Sequence, residues 1–193
     1  KNIQTVHRKG KLGLSSAVLA GMQISDGDVV GVMDADLSHP VDKIPEMFSL
    51  INSGAEIVIG SRYVKGGNIV GWSFYRKLQS KLATIFARIF TNVMDPMSGF
   101  FLAKKDLIKN DLLNPKGFKI LLELLVKIEF QNIKEVPITF IDRQAGKSKA
   151  GAAEVIYLLQ NFLTYLPYKK KVLLEFAKFA FVGLFGTIIN LVI

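Results

Sequence analysis

Apolar and polar positions along this chain fall into short blocks that read alternately as helix and strand. Lys1 to Gly13 is basic and punctuated by glycine, a strand end and loop, and Leu14 to Gln23 reads as a short helix. The turn residues Ser25-Asp26-Gly27-Asp28 close it. Val29 to Met33 is a continuous apolar run rich in valine, which predicts a buried parallel strand. After Ser38-His39-Pro40 a helix is predicted through Ile44, Met47, Phe48 and Ile51. Glu56 to Ile59 predicts a second buried strand, running into Gly60-Ser61-Arg62-Tyr63. A glycine-rich loop from Gly66 to Gly71 then precedes a long helix, in which Phe74, Leu78, Leu82, Ile85, Phe86, Ile89 and Val93 keep helical spacing. The turn Asp95-Pro96-Met97-Ser98-Gly99 breaks that helix. A strand over Phe100 to Ala103, a helix over Lys119 to Phe130 and a strand over Val136 to Ile141 complete the pattern. Such alternation predicts an α/β sandwich with a largely parallel sheet.

Composition narrows the chemistry. The sequence has 193 residues, 50% of them hydrophobic, enough for one soluble domain with a short appendage and a core that needs no disulfides. It contains no cysteine, which excludes thiolate metal sites and thiol catalysis. The net charge of +9 predicts an anionic partner: nucleic acid, membrane surface or phosphorylated substrate. Between Ile57 and Met94 there is no acidic residue, yet Arg62, Lys65, Arg76, Lys77, Lys81 and Arg88 all fall there. For any single lysine an ordinary solvated face explains the charge as well.

The first residue is not methionine, no signal peptide is visible, and the sequence stops within an apolar run from Phe179 to Ile193. About 15 residues fall short of the roughly 20 a bilayer span needs. Adding Phe176 to Lys178 supplies a span whose lysine snorkels towards the headgroups. Both ends are therefore expected to continue.

Asp34-Ala35-Asp36 follows the first predicted strand directly. Residues two apart on an extended backbone point the same way, so both carboxylates can face one cation. Ligand sites of open α/β sheets also lie beyond the carboxyl ends of strands, and Mg²⁺ or Mn²⁺ favours oxygen ligands shared with substrate phosphates. The same residues suit a plain helix cap at Asp36 or Ser38. The pair alone does not choose.

Wider context does. Asp34-Ala35-Asp36-Leu37-Ser38-His39-Pro40, Gly60-Ser61-Arg62-Tyr63, Asp95-Pro96-Met97-Ser98-Gly99-Phe100, Gly117-Phe118-Lys119-Ile120-Leu121-Leu122-Glu123 and Gly146-Lys147-Ser148-Lys149 occur in that order. Together they resemble the dolichyl-phosphate mannosyltransferases and related polyprenyl-phosphate glycosyltransferases of the inverting family-two, GT-A type, over residues 1–150. The resemblance implies a GT-A-type, mostly parallel sheet sandwiched by helices, incomplete at its N-terminus. It divides the chain into a catalytic part (1–150), an interfacial segment (151–172) and the start of a transmembrane domain (173–193).

It also implies roles. Asp34 and Asp36 would hold Mg²⁺ or Mn²⁺, with Ser38 where a third ligand often stands. Arg62 and Arg76 match two arginines that grip the acceptor phosphate. Arg143, Lys147, Ser148 and Lys149 match a mobile basic loop over the phosphates, while Asp95 and Ser98 line the same cleft. Lys11 and Gly13 match part of the nucleotide loop. The implied reaction moves mannose from GDP-mannose to dolichyl or polyprenyl phosphate, and the missing base-binding strand would leave these residues inactive alone. A phosphate acceptor is already anionic, so positioning and electrostatics suffice without a strong base.

Attachment to a membrane is a separate expectation. Aromatic residues between Asn161 and Tyr168 suit the lipid interface, and Lys169-Lys170-Lys171 before the apolar run predicts that this side is cytoplasmic. Three alternatives remain at this stage: a relative using a UDP-sugar such as UDP-glucose, a non-enzymatic flippase subunit or scaffold, and a nucleic-acid binder. The last rests on charge alone, no recognition motif supports it, and no nucleic-acid partner is expected.

Overall fold

The computed structural model describes residues 3–8, 10, 13–108, 113, 120–142 and 164–168. Its elements in chain order are α1 (Leu14–Ile24), β1 (Val29–Val32), α2 (Ile44–Asn52, entered through a 3₁₀ turn, Val41–Lys43), β2 (Ile57–Ser61), β3 (Asn68–Val70), α3 (Phe74–Ala87), β4 (Phe101–Lys104), α4 (Ile120–Lys127), β5 (Ile133–Pro137) and β6 (Thr139–Ile141).

Side chains alternate across a strand, so one central strand can feed two cores. Ile57 and Ile59 of β2, with Phe101 and Ala103 of β4, face Met22 of α1 and Leu121, Leu124 and Leu125 of α4. Val58 and Leu102, between them in sequence, face Met47 and Ile51 of α2 together with Val136 and Ile138. Helices therefore cover both faces. A one-residue slip of β2 would exchange these two sets, which fixes its register strongly. Every residue of β2 is buried. A Cβ on Gly60 would come within 2.5 Å of Phe100, so glycine is what lets β2 and the start of β4 approach there.

The expectation of a mostly parallel sheet is corrected. The main sheet has the order β1-β4-β2-β5; β4 is antiparallel to both β1 and β2, and β2–β5 is its parallel pair. The cause is topological. The turn 95–99 stands beside the carboxyl end of β2, as the 2.9 Å bond from Gly60 N–H to the Phe100 carbonyl records. A strand starting there has to run back. β1 is also not buried on both sides: it lies at the edge of the described sheet, and only Val30 is fully buried.

Two further expectations change. The glycine loop at 66–71 contains β3, which pairs in parallel with β6. The single strand expected over Val136 to Ile141 divides at Ile138, whose N–H still donates to Ser61 of β2 at 3.0 Å while its carbonyl accepts from Asn68 of β3 at 2.9 Å, so the chain passes there to the second sheet. The long helix ends at Ala87, and its apolar stripe faces outward. Phe74, Tyr75, Leu78, Leu82, Ile85 and Ile89 are all exposed, while Thr84 and Ala87 face the core. Helical spacing was real, but its apolar face is not the buried one.

Near the C-terminus, Tyr165 is buried against Phe90 at a ring separation of 5.9 Å, so this ring belongs to the core rather than to an interface. The residues expected to span a membrane (173–193) lie outside the described residues. No helix among the described residues is long and apolar enough to cross a membrane.

Candidate active site

β1 and β2 run in the same sense, and the loops leaving their carboxyl ends carry Asp34 and Asp36, and Arg62. The fold thus brings the charged motifs to one edge of the sheet.

Asp36 Oδ1 accepts from the Ser38 backbone N–H at 3.1 Å and from the Ser38 hydroxyl at 2.5 Å. The turn holds Leu37 at φ 61°, a left-handed conformation that is uncommon and strained for an L side chain. The 3₁₀ turn starts after Pro40 and α2 after Lys43, neither with a side-chain cap. Helix capping is thereby excluded as the use of Asp36 or Ser38. The buried Ser38 hydroxyl orients the Asp36 carboxylate instead.

Asp34 is half-buried, and no hydrogen-bond donor among the described residues pairs with it. Gly99 leaves room beside it: a Cβ there would sit 3.4 Å from Asp34 Oδ2 and 3.6 Å from His39 Cε1. The His39 ring is buried between Phe100 (5.3 Å) and Phe140 (5.2 Å). Burial pushes its pKa below the ordinary value, Asp34 and Asp36 pull it up, and the burial wins. Enclosure keeps the ring from reaching a substrate proton, and a lowered pKa makes it a weak base. A Cβ on Gly99 would lie within 3.6 Å of both Asp34 and His39, and the His39 ring packs on Phe140, which also meets Trp72 and lies 5.7 Å from the Arg62 guanidinium carbon, so these groups share one neighbourhood.

Arg62 meets Asp95 in a two-pronged contact, Nε–H to Oδ2 at 2.7 Å and an Nη2–H to Oδ1 at 2.8 Å. Its backbone N–H adds a third bond to Oδ2 at 3.0 Å. The side chains are 8% and 0% exposed, so the pair is sealed. Burial opposes the Arg62 charge, but the Asp95 hydrogen bond and charge more than offset it and raise its pKa. Glu135 on β5 fixes the turn in its place, accepting from Met94 N–H at 2.8 Å and Asp95 N–H at 3.1 Å. Arg76, in the first turn of α3, donates to both oxygens of Asp142 at 2.8 and 2.7 Å. Its guanidinium carbon stacks over Trp72 at 4.2 Å. Arg62 lies 5.6 Å from the same ring, and Trp72 meets Phe140 edge-on at 5.4 Å. The rings of His39, Phe140 and Trp72 thus connect the carboxylate side of the site to the arginine side.

Asp34, Asp36, Arg62, Arg76 and Asp95 are therefore drawn together. Asp95 is occupied by Arg62 and faces no open space. Ser98 is buried, donates to the Gly60 carbonyl at 2.7 Å and accepts from Phe100 N–H at 3.1 Å, which ties β2 to β4. Gly13 lies at the start of α1, where its carbonyl accepts from Arg8 at 3.2 Å. Lys11, Arg143, Lys147, Ser148 and Lys149 lie outside the described residues. Sequence reasoning missed Trp72, Glu135 and Asp142. For two of them a signal existed: Trp72 precedes Arg76 by one helical turn, and Asp142 adjoins Arg143 of the basic loop.

Among the described residues no three acidic, histidine or cysteine side chains cluster as a metal site. The chain offers two carboxylates, one of them half-buried and without a hydrogen-bond partner among the described residues. Such a set fits a hard cation that takes most of its ligands from phosphate and water, as Mg²⁺ does.

Residues 1–112 match the glycosyl transferase family 2 domain. The chain belongs to that family. Among curated relatives it is 41% identical to the dolichol-phosphate mannosyltransferase of Pyrococcus furiosus, over 97% of this chain and 54% of that protein. It is 38% identical to the dolichol-phosphate mannosyltransferase of Saccharomyces cerevisiae, over 87% of this chain and 66% of that one. The chain thus spans between about half and two thirds of these relatives. Similar solved structures include the glucosyl-3-phosphoglycerate synthase of Mycobacterium tuberculosis with Mn²⁺, UDP-glucose and glycerol 3-phosphate. It is 19% identical, with a TM-score of 0.54 over 81% of this chain and 55% of that one. The same enzyme with Mg²⁺ and UDP gives a TM-score of 0.54 at 18% identity, over 81% of this chain and 54% of that one. These likenesses establish a GT-A-like fold.

Proposed function

We propose that the protein transfers mannose from GDP-mannose to dolichyl or another polyprenyl phosphate, with inversion, at the cytoplasmic face of a membrane. The observation that carries this reading is the pair Arg62 and Arg76 around Trp72, at the same sheet edge as Asp34 and Asp36. One site then offers cations for an acceptor phosphate and carboxylates for a donor diphosphate. Similarity to two dolichol-phosphate mannosyltransferases supports the choice of sugar and acceptor.

An oxygen of the acceptor phosphate attacks C1 of the sugar from the face opposite the leaving group. The new C1–O bond forms as the bond from C1 to the diphosphate oxygen breaks, and GDP departs with the electron pair. No proton has to move, because the nucleophile is already an anion. That agrees with an enclosed, weakly basic His39 at the centre of the site. The work left to the chain is positional: Arg62 and Arg76 keep N–H groups beyond those given to Asp95 and Asp142, and these can orient phosphate oxygens. Asp34 and Asp36 would hold Mg²⁺ or Mn²⁺, which when bound supplies charge stabilisation on the departing diphosphate.

The outward face of α3 favours a lipid acceptor. Its exposed Phe74, Leu78, Leu82 and Ile85 run along a helix that also carries Lys77 and Lys81, with Arg88 and the exposed Ile89 just past its end, the composition of a helix lying in a headgroup layer. Arg76 sits in the first turn of the same helix, on the side that meets Asp142 and Trp72, so an acceptor phosphate arriving from the membrane surface would reach it around the helix end. Lys169-Lys170-Lys171 ahead of the apolar run supports the cytoplasmic side.

A donor screen on the full-length protein tests this. Radiolabelled GDP-mannose, incubated with polyprenyl phosphate and a divalent cation, should give lipid-soluble label, and UDP-glucose should give little. Label from UDP-glucose alone would move the protein to another donor. No transfer from any donor would favour a non-enzymatic role.

A further inference from the structure

We propose that Trp72 is a positioning residue that holds the guanidinium groups of Arg62 and Arg76 towards a single anion. The inference rests on the reading that these arginines receive the acceptor phosphate, and it goes further by naming what sets their geometry.

Two guanidinium groups beside one another repel, so something must hold them together before the anion arrives. Asp95 does this for Arg62, from three directions and out of solvent. Arg76 has a weaker carboxylate. Its pair with Asp142 is 26% and 29% exposed, where water screens the attraction. The indole face supplies what that pair lacks. A guanidinium carbon 4.2 Å from the ring centroid lies in stacking range, and stacking fixes the plane of the fork as well as its place. Arg62 lies 5.6 Å from the same centroid, among three rings with Tyr63 at 5.3 Å and Phe140 at 5.7 Å, so Trp72 is the ring that the two cations share.

The ring is itself held. Phe140 meets it edge-on at 5.4 Å, and Phe140 also meets His39 at 5.2 Å. Trp72 Nε1 is buried without a hydrogen-bond acceptor among the described residues. For a side chain that only filled space, this orphaned donor would be a cost without return, and phenylalanine or leucine would serve better. What tryptophan offers over those two is the strongest cation-binding face of any side chain.

The test is steady-state kinetics on the full-length protein with GDP-mannose and polyprenyl phosphate, comparing Trp72→Leu, Trp72→Phe and Arg76→Ala. Trp72→Leu should raise the KM for polyprenyl phosphate about tenfold, the size of a desolvated cation–π contact, and leave the KM for GDP-mannose within about twofold. Trp72→Phe, which keeps an aromatic face, should recover most of the loss. If Arg76→Ala raises the acceptor KM and Trp72→Leu does not, the positioning role is overturned and the proposed function stands. If Trp72→Phe is as damaged as Trp72→Leu, the ring face is not what matters and the role is again overturned. If Arg76→Ala leaves the acceptor KM unchanged, the functional reading fails and this inference fails with it.

Fluorescence gives an independent readout should Trp72→Leu not fold. Trp72 is the one tryptophan of these 193 residues. Farnesyl phosphate added to full-length protein, with Trp72→Phe as the background, should shift its emission. That shift should vanish in Arg76→Ala. A flat titration overturns the proposal.

Discussion

Arg62 and Arg76 are the same residue type, sit on one aromatic ring, and are built to opposite specifications. Arg62 lies at the end of the fully buried β2, locked to a carboxylate with no exposure at all, behind which Glu135 fixes the turn. Arg76 lies in the first turn of a helix whose apolar face is open, on a carboxylate that is itself partly exposed. The first is held by desolvated, directional bonds and the second by a screened ion pair and a stack. Sealed charge is architecture that also presents a cation. Open charge is where a ligand can compete.

That contrast predicts effects of very different size. Asp95→Asn should be the most damaging, since it leaves the Arg62 guanidinium buried without a counter-charge. Removing one member of a buried pair costs about 3–5 kcal/mol, and chemical denaturation of the full-length protein should read a loss of that order. A loss below about 1 kcal/mol would mean that the Arg62 side is not sealed. Asp142→Asn should be the mildest. A pair at the rim contributes about 0–1 kcal/mol, so the melting midpoint should hardly move. The acceptor KM should fall about two- to threefold, as a competing carboxylate leaves Arg76, of the order of a modest surface electrostatic term. A large stability loss in Asp142→Asn would erase the distinction between the two arginines.

Much of this was legible in the sequence, and the failures have physical causes. Alternation placed the strands and helices well, because β2 and β4 feed two cores and must keep their period. Strand direction was not legible. The run Phe100 to Ala103 carries nothing that distinguishes a strand returning from the turn at 95–99 from one continuing a parallel series. α3 shows the opposite failure, since its spacing located the helix but could not tell which partner its apolar stripe serves. Among site residues, the motif order picked out Asp34, Asp36, Arg62, Arg76 and Asp95, which the fold draws together. It misjudged the openness of Asp95 and Ser98, because burial depends on chain segments distant in sequence. Asp142 escaped for the same reason: its partner Arg76 is 66 residues away.

The central claim is that two carboxylates on one turn and two arginines on one indole form a single anion-handling site. Transfer of mannose from GDP-mannose to polyprenyl phosphate, measured over a divalent-cation titration with the full-length protein, tests it most directly. Asp34→Ala with Asp36→Ala should lower the rate by at least about a hundredfold, the scale of lost transition-state charge stabilisation, while the fold melts as before. Undiminished, cation-dependent transfer by that double variant would contradict it.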